Sequence, residues 1–301
     1  MNIKELFRDT INIGDWIEWL VDWILDNLEP VLDGIADFIG FLANGFEDVL
    51  RGTPPELMAL VIIVLAWWRV SWRFALFAVV AVAALFGMGL WDETMSTLAL
   101  VLSASLIALV LGLPVGVAMA RIERVEAVVR PVLDLMQTMP PFVYLIPAAI
   151  FFGLGKVPGT IATVVFAMPP AVRLTNLGIR QVSREHVEAG LAFGCTERQL
   201  LWKVQLPLAM PSIMAGINQT IMLALSMVVI ASMIGAGGLG NTVLTGIQRL
   251  DVGLGFEGGL GVVILAILLD RITQSFGARR RGDGLAGFLR RLIGRDRTAG
   301  E

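Results

Sequence analysis

The sequence predicts an all-α polytopic membrane protein, and three observations support this fold class. Hydrophobic residues make up 56% of the 301 residues and the mean hydropathy is +0.77, both far above the values of soluble globular domains. Runs such as residues 95–120 and 208–234 contain no charged residue, and each is long enough to cross a bilayer as a helix. Lysine and arginine, finally, are concentrated in alternate connecting segments.

We expect about seven transmembrane helices from the apolar runs. A span usually needs ~20 apolar residues, so the first and last runs are short, although the last can continue past Asp270 and Arg271. Pro140, Pro141 and Pro147 are expected to break the fourth span, because proline lacks the N–H that a helix interior requires. The predicted spans are residues 57–70, 72–90, 95–120, 132–152, 157–172, 208–234 and 258–269.

The distribution of positive charge predicts the orientation. With the N-terminus outside, 18 of the 23 lysine and arginine residues fall on the cytoplasmic side. The opposite orientation would violate the rule that positive charge is retained inside. We therefore predict an N-out, C-in protein with a basic cytoplasmic tail at residues 277–301.

Residues 1–56 form an acidic amphipathic region that we expect to be extracytoplasmic. Apolar residues recur at helical spacing among carboxylates, and three tryptophans lie close to the apolar stripe: Trp16, Trp19 and Trp23. Such a helix suits the headgroup layer of the membrane or the surface of a partner, and it is equally typical of a solvated scaffold helix packed on the first spans. Residues 57–92 would then supply two accessory transmembrane helices ahead of the main domain.

The cytoplasmic segment between the fifth and sixth predicted spans, residues 183–207, is typical of two short helices joined by a bend. Ser183 can cap the first helix, and Gly194 can end it in the left-handed conformation. Thr196 and Gln199 are spaced as a capping box that opens the second helix. Pro207 is expected to end that helix, because the residue before a proline is disfavoured in the helical region.

Several kinds of chemistry find no support in the sequence. A single cysteine, Cys195, and a single histidine, His186, argue against a disulfide framework and against a metal site. The run from Gly153 to Val157 lacks the spacing and the Ser/Thr of a P-loop, so we expect no ATP hydrolysis by that route. Ionisable residues are scarce in the spans, although an ion-coupled carrier normally needs them. A channel or ion-coupled carrier for a small polar solute is therefore the alternative rather than the first hypothesis.

A few polar residues within the spans are candidates for lining a translocation path. Buried amides and hydroxyls in hydrocarbon need partners, so they face either other helices or a wet cavity. Interhelical hydrogen bonding and contact with a transported solute are equally compatible with the sequence. The candidates are Gln137, Thr138, Asn218, Gln219 and Ser226.

The segment at residues 183–207 resembles the EAA loop of ABC-importer permease subunits. Glu188-Ala189-Gly190, Gly194 and Val204-x-Leu206-Pro207 follow the spacing of that motif, with glycine replacing its third alanine and valine replacing isoleucine. In that family the loop is the coupling helix, which docks in a groove of the ATPase subunit. The resemblance implies a coupling role, with Gly190 allowing close docking and Gly194 the bend, for Val187, Glu188, Ala189, Gly190, Leu191, Gly194, Leu206 and Pro207.

Longer runs resemble the permease of glycine betaine/proline betaine importers, a compatible-solute family. They lie at residues 136–159, 166–182, 203–240 and 264–274. The resemblance covers about residues 94–276 and implies a type I ABC importer transmembrane domain at residues 93–276. The expected function is ATP-driven uptake of an osmoprotectant, with choline, carnitine or proline as alternative substrates.

The resemblance also implies partners and a location. These are two copies of a cytoplasmic ABC ATPase that binds ATP and Mg²⁺, a second copy of the permease, a separate extracytoplasmic substrate-binding protein and membrane lipid. The chain itself is expected to be a multi-pass protein of the bacterial plasma (inner) membrane. It is expected to catalyse no reaction, to hold no cofactor or metal and to bind no nucleic acid.

Overall fold

The structure, a computed structural model, describes residues 13–277. Within these residues the chain forms twelve α-helices and one π-helical turn, and no strand. The elements are α1 Ile13–Gly52, α2 Pro55–Arg69, α3 Trp72–Gly87, α4 Trp91–Arg121, α5 Glu123–Thr138, α6 Pro141–Phe152, α7 Lys156–Arg180, α8 Arg184–Ala192, α9 Glu197–Leu200, the π turn Leu201–Gln205, α10 Leu206–Ser232, α11 Leu239–Arg249 and α12 Val252–Gly277. The predicted all-α class is confirmed.

The centre of the protein is a bundle in which α7 packs against α4 on one side and against α10 on the other. Small residues let these helices approach closely, as is common where helices meet in a membrane. A Cβ atom at Gly116 on α4 would lie 2.7 Å from the backbone oxygen of Val172 on α7. A Cβ atom at Gly178 on α7 would lie 2.7 Å from the Cβ of Ser212 on α10.

Four helices of the described chain are long and apolar enough to cross a membrane: α4, α7, the continuous stretch Glu197–Ser232 and α12. The number rises to six if each of two sharply bent helix pairs is one span, and α3 is a shorter apolar helix. The seven spans and the N-out, C-in orientation stay predictions.

Both sharp bends fall at paired prolines. The pair α5 and α6 bends by 99° at Met139-Pro140, as the Pro140-Pro141 sequence predicts, and the pair α1 and α2 bends by 101° at Pro54-Pro55. The break predicted at Pro147 is wrong, because Pro147 lies inside α6. Pro207, however, does not end a helix, and that prediction is wrong. The π turn carries the chain from α9 into α10, with the Leu206 N–H bonded to the Leu201 carbonyl, and Pro207 falls in the first turn, where no N–H is required.

The described part of the acidic N-terminal region contains one long helix, α1, as its periodicity predicts. Its C-terminal half packs against α4 and α7, whereas the tryptophans of its N-terminal half are exposed. The glycine-rich connection that follows α10, between the predicted spans at residues 208–234 and 258–269, contains a helix, α11. Its first residue is fixed to α4, because the Leu239 N–H donates to the Thr97 hydroxyl at 2.8 Å. Nearly all of the basic tail at residues 277–301 lies outside the described residues.

Candidate coupling segment and translocation path

The segment predicted to couple to an ATPase, residues 183–207, connects the end of α7 to the start of α10. It contains α8, a tight turn, α9 and the π turn. Because α7 and α10 are the two central helices, any displacement of this segment acts directly on the core of the bundle. We call residues 183–207 the coupling segment from here on.

The turn between α8 and α9 has the geometry expected from its glycine. Gly194 has φ = +78°, a left-handed conformation that glycine adopts without strain. Its N–H donates to the Leu191 carbonyl at 2.9 Å, and the Cys195 N–H donates to the Gly190 carbonyl at 3.1 Å. These bonds close the C-terminal end of α8.

The two predicted N-caps have different outcomes. The capping box of α9 is confirmed: the Thr196 N–H donates to Gln199 Oε1 at 2.9 Å, and the Gln199 N–H donates to Thr196 Oγ1 at 3.3 Å. The cap of α8 by Ser183 is wrong, since its side chain accepts no backbone N–H. Its hydroxyl instead contacts His186 Nδ1 at 2.5 Å.

Gly190 packs inside the coupling segment. A Cβ atom there would lie 2.7 Å from Leu200 Cδ1 and 3.6 Å from Val204 Cγ2. Gly190 and Leu200 are both buried. The small size of Gly190 is therefore explained by the contact between α8 and α9, rather than by close docking of a partner.

The opposite side of α8 is open to solvent. Glu188, Ala189 and Leu191 are exposed, and Val187 is half-buried. Phe193, which the sequence analysis did not single out, is 90% exposed at the tip of the segment. Its only sequence signal is an aromatic residue directly before the glycine of the turn. An exposed aromatic beside an exposed leucine is a suitable anchor for a protein partner.

One ion pair joins the coupling segment to the end of α4, and a second joins the end of α7 to α5. Arg121, the last residue of α4, pairs with Glu197 Oε2 at 2.8 Å and donates to the Glu197 carbonyl at 3.3 Å. Arg180, the last residue of α7, pairs with Glu126 on α5 at 2.6 Å. A groove of about 510 Å³ lies between these ends, lined by Arg121, Arg180, Arg184, Glu188 and Gln205 among others.

The candidate path residues on α10 fall on two faces. The Asn218 amide donates to Asp270 Oδ1 at 2.9 Å, and its oxygen accepts from the Thr273 hydroxyl at 2.5 Å. Asn218 therefore links α10 to α12. Gln219 and Ser226 are seven residues apart, which places them on one helix face, and both are exposed.

The other two candidates, Gln137 and Thr138, lie at the bend between α5 and α6, and both are exposed. The Thr138 hydroxyl reaches only the Leu135 carbonyl of its own helix, at 3.4 Å. A bend in a helix at membrane depth normally lines a cavity or packs against protein. The position suits a path but does not by itself define one.

An all-helical bundle with a short helical segment inserted between its two central helices defines the membrane subunit of a transport system. Residues 108–282 match the family model described as binding-protein-dependent transport system inner membrane component. The chain belongs to this family. It is an ABC-importer permease subunit, and not an enzyme.

Curated relatives are similar over most of the chain. The chain is 49% identical to the glycine betaine/proline betaine transport system permease protein ProW of Escherichia coli K12, covering 94% of this chain and 80% of ProW. It is 50% identical to the glycine betaine/carnitine transport permease protein GbuB of Listeria monocytogenes (91% and 98% covered). It is 48% identical to the glycine betaine transport system permease protein OpuAB of Bacillus subtilis (92% and 98% covered).

A solved structure shares the fold. The MetNI methionine ABC transporter, in an inward-facing conformation, aligns with a TM-score of 0.53 and 24% identity, over 61% of this chain and 93% of that one. The match confirms the type I importer fold. Membership of this family places the protein in the bacterial inner membrane and implies an ATPase and a substrate-binding protein as partners. Permease subunits of ABC importers bind no cofactor themselves.

Proposed function

We propose that this permease imports glycine betaine and related quaternary-ammonium solutes such as proline betaine. The observation that carries the proposal is an identity near 50% to three relatives whose names contain glycine betaine, each covering at least nine tenths of this chain. A polar zwitterion does not cross hydrocarbon unaided, so a wet path with few charges suits it. The bulk of the selectivity would lie in the binding protein.

The proposed assembly has two permease copies, two copies of a cytoplasmic ATPase and a separate binding protein on the outside. Leu191 and Phe193 on the coupling segment would contact the ATPase, together with the exposed Glu188 and Ala189. ATP and Mg²⁺ would be bound by the ATPase. The exposed stripe of α10 that contains Gln219 would face the second permease copy across the path.

In the proposed cycle, closure of the ATPase dimer displaces the coupling segments and switches the path between outward and inward access. Two features support transmission of this movement. The segment is continuous with α7 and α10, and the Arg121–Glu197 ion pair ties it to α4. Gln219, Ser226, Gln137 and Thr138 would line the path, whereas Asn218 would hold α10 against α12.

We propose four parts along the chain. Residues 1–56 are an acidic amphipathic extracytoplasmic region, and residues 57–92 contribute two accessory transmembrane helices. Residues 93–276 form the transmembrane domain, consistent with the family match at residues 108–282. Residues 277–301 are a basic cytoplasmic tail.

The test is reconstitution in liposomes with the ATPase and the binding protein that belong to this permease. We expect uptake of radiolabelled glycine betaine that requires ATP and all three components. Uptake without ATPase would instead identify a channel or ion-coupled carrier. ATP-dependent uptake of another solute, with none of glycine betaine, would retain the importer and overturn the substrate.

Carnitine is a second candidate substrate, because GbuB is named for glycine betaine and carnitine and is 50% identical to this chain. Competition in the same liposomes distinguishes the two. Unlabelled carnitine should reduce glycine betaine uptake only if the binding protein recognises both. Choline and proline serve as further competitors in that experiment.

A further inference from the structure

A buried carboxylate joins three helices at the end of α7 that lies away from the coupling segment. The side chain of Glu47 on α1 is only 10% exposed. It accepts a hydrogen bond from the Ser96 hydroxyl on α4 at 2.9 Å and one from Arg51 on α1 at 3.2 Å. Its second oxygen pairs with the Lys156 ammonium at the start of α7. The carboxylate is thus fully engaged.

The position of Lys156 gives this cluster its importance. Lys156 is the first residue of α7, and a second contact lies beside it, since a Cβ atom at Gly40 on α1 would lie 3.6 Å from Val157 Cγ2. The preceding residue, Gly155, donates its N–H to the Ile234 carbonyl in the turn after α10, at 2.8 Å. The start of α7 is therefore bonded both to α1, through Lys156, and to the turn after α10, through Gly155.

The coupling segment lies at the other end of the same helix. With 25 residues at about 1.5 Å each, α7 spans roughly 37 Å between Lys156 and Arg180. A movement of the coupling segment therefore reaches the Glu47 cluster along one continuous helix. One end of α7 contacts the N-terminal helix α1, and the other end continues into the coupling segment. The sequence alone gives no sign that these two parts are connected.

If α1 only had to be attached to the bundle, a buried ion pair between Glu47 and Lys156 would not be needed. A buried ion pair is generally no more stabilising than apolar residues of the same size, but removing one partner leaves an uncompensated charge. Such a pair does fix relative position, because it tolerates few alternative packings. The apolar contacts of α1 with α4 would suffice to attach the helix.

We propose that Glu47 is a positioning residue of the transport cycle: paired with Lys156, it fixes the start of α7 to α1, so that both move as one body when the coupling segment is displaced. The inference rests on the proposed importer function and adds the N-terminal helix to the moving machinery. Lys156 lies in the glycine-containing run that superficially resembles a P-loop, and its role is to pair with Glu47.

The first test is a charge exchange measured in the reconstituted importer. Glu47→Gln and Lys156→Glu should each lower ATP-driven uptake by about tenfold, within the range of ordinary coupling effects, with a smaller loss of ATP hydrolysis. The double variant Glu47→Lys with Lys156→Glu, made in an Arg51→Gln background so that the new lysine does not face a second cation, should recover at least half of the uptake. The matched control is Asp48→Asn, which removes an exposed carboxylate from the neighbouring position and should leave uptake unchanged.

Two results would overturn this inference without touching the importer function, which the unsubstituted protein reports in parallel. One is normal uptake by Glu47→Gln. The other is a loss of uptake that the exchanged pair fails to recover, which would indicate a general packing role. Loss of uptake in the unsubstituted protein would instead contradict the proposed function.

A second test does not depend on removing a buried charge. In a Cys195→Ser background, Gly40→Cys and Val157→Cys should be joined by a short, reducible thiol cross-linker, because a Cβ atom at Gly40 would lie 3.6 Å from Val157 Cγ2. If α1 and α7 move as one body, the cross-linked protein transports at the rate of the reduced protein. A block of uptake that a reductant reverses would show that the helices separate during the cycle, and the proposal would be wrong.

Discussion

At the scale of single residues, the contact between Gly190 and Leu200 holds the two short helices of the coupling segment together. Gly190→Leu should push α9 away and lower stability by about 1–3 kcal/mol, the usual cost of overpacking. The thermal midpoint of the purified permease measures this. Ala192→Leu, at an exposed position of α8, should leave the midpoint unchanged.

The double variant Gly190→Leu with Leu200→Ala tests whether that contact is the cause. Removing the leucine side chain vacates the space that the new side chain needs, so part of the lost stability should return. If Gly190→Leu is as stable as the unsubstituted protein, Gly190 does not face α9 as described.

Phe193 makes a separate prediction about the ATPase. The ring of Phe193 is exposed at the tip of the coupling segment. Truncating an aromatic anchor at an interface typically costs ~2 kcal/mol or more of binding free energy. Phe193→Ala should therefore weaken retention of the ATPase during purification by tenfold or more. Leu154→Ala is the control, since Leu154 is also exposed but lies in the turn between α6 and α7. Equal retention by both variants would remove Phe193 from the interface.

The residues that sequence reasoning placed correctly are those with local partners. The capping box of α9 joins Thr196 to Gln199, three positions apart, and could be read from spacing alone. The Glu47–Lys156 pair joins positions 109 residues apart, and nothing in either local sequence indicates the other. The role of Gly190 falls between these cases, because its neighbour Leu200 is ten residues away and beyond a turn.

At the scale of helices, the α4–α7 contact depends on the absence of a side chain at Gly116. Gly116→Ala would bring a Cβ to 2.7 Å from a backbone oxygen of α7, so the helices must separate. We expect a lower thermal midpoint and less folded protein in the membrane fraction. Gly259→Ala on α12, where no atom lies within 4 Å of the added carbon, should leave both unchanged or slightly raise the midpoint.

The two faces of α10 give opposite predictions for neighbouring positions. Asn218→Leu removes the two side-chain hydrogen bonds that join α10 to Asp270 and Thr273 on α12, so the thermal midpoint should fall while the uptake rate per folded protein is retained. Gln219 is exposed and has no hydrogen-bond partner among the described residues, so Gln219→Leu should retain stability while uptake falls. Uptake and midpoint measured on both variants decide this, and the reverse pattern would exchange the two assignments.

Helix ends show where prediction from sequence succeeds and fails. The bend at Pro140 was predictable because proline lacks the N–H that a helix interior needs, whereas a second proline pair, Pro169-Pro170, lies inside α7 without ending it. The continuation through Pro207 was not, because it depends on a π turn that no residue type specifies. The helix α11 was hidden by flanking glycines, whose packing against α10 and α12 becomes visible only in three dimensions.

At the scale of the whole molecule, composition and the EAA-type motif were sufficient for the fold class and the family, since composition is a property of the whole chain and the motif depends only on local spacing. The orientation can be tested with cysteine labelling in a Cys195→Ser background. Leu154→Cys should react with a membrane-impermeant maleimide added to intact cells, and Phe193→Cys should react only after the cells are opened. Both native side chains are highly exposed, at 78% and 90%. The opposite labelling pattern would reverse the predicted topology.

The π turn at Leu201–Gln205 has a consequence for the length of the chain. A π turn holds one residue more than the α turn it replaces, while the helix on either side keeps its direction. Loss of one residue here, such as the exposed Lys203, would convert the turn to ordinary α-helix. The same deletion inside α10 would rotate everything beyond it by about 100°. Between the short helices of the coupling segment and α10, this protein therefore has a position where a one-residue deletion preserves the alignment of its helices.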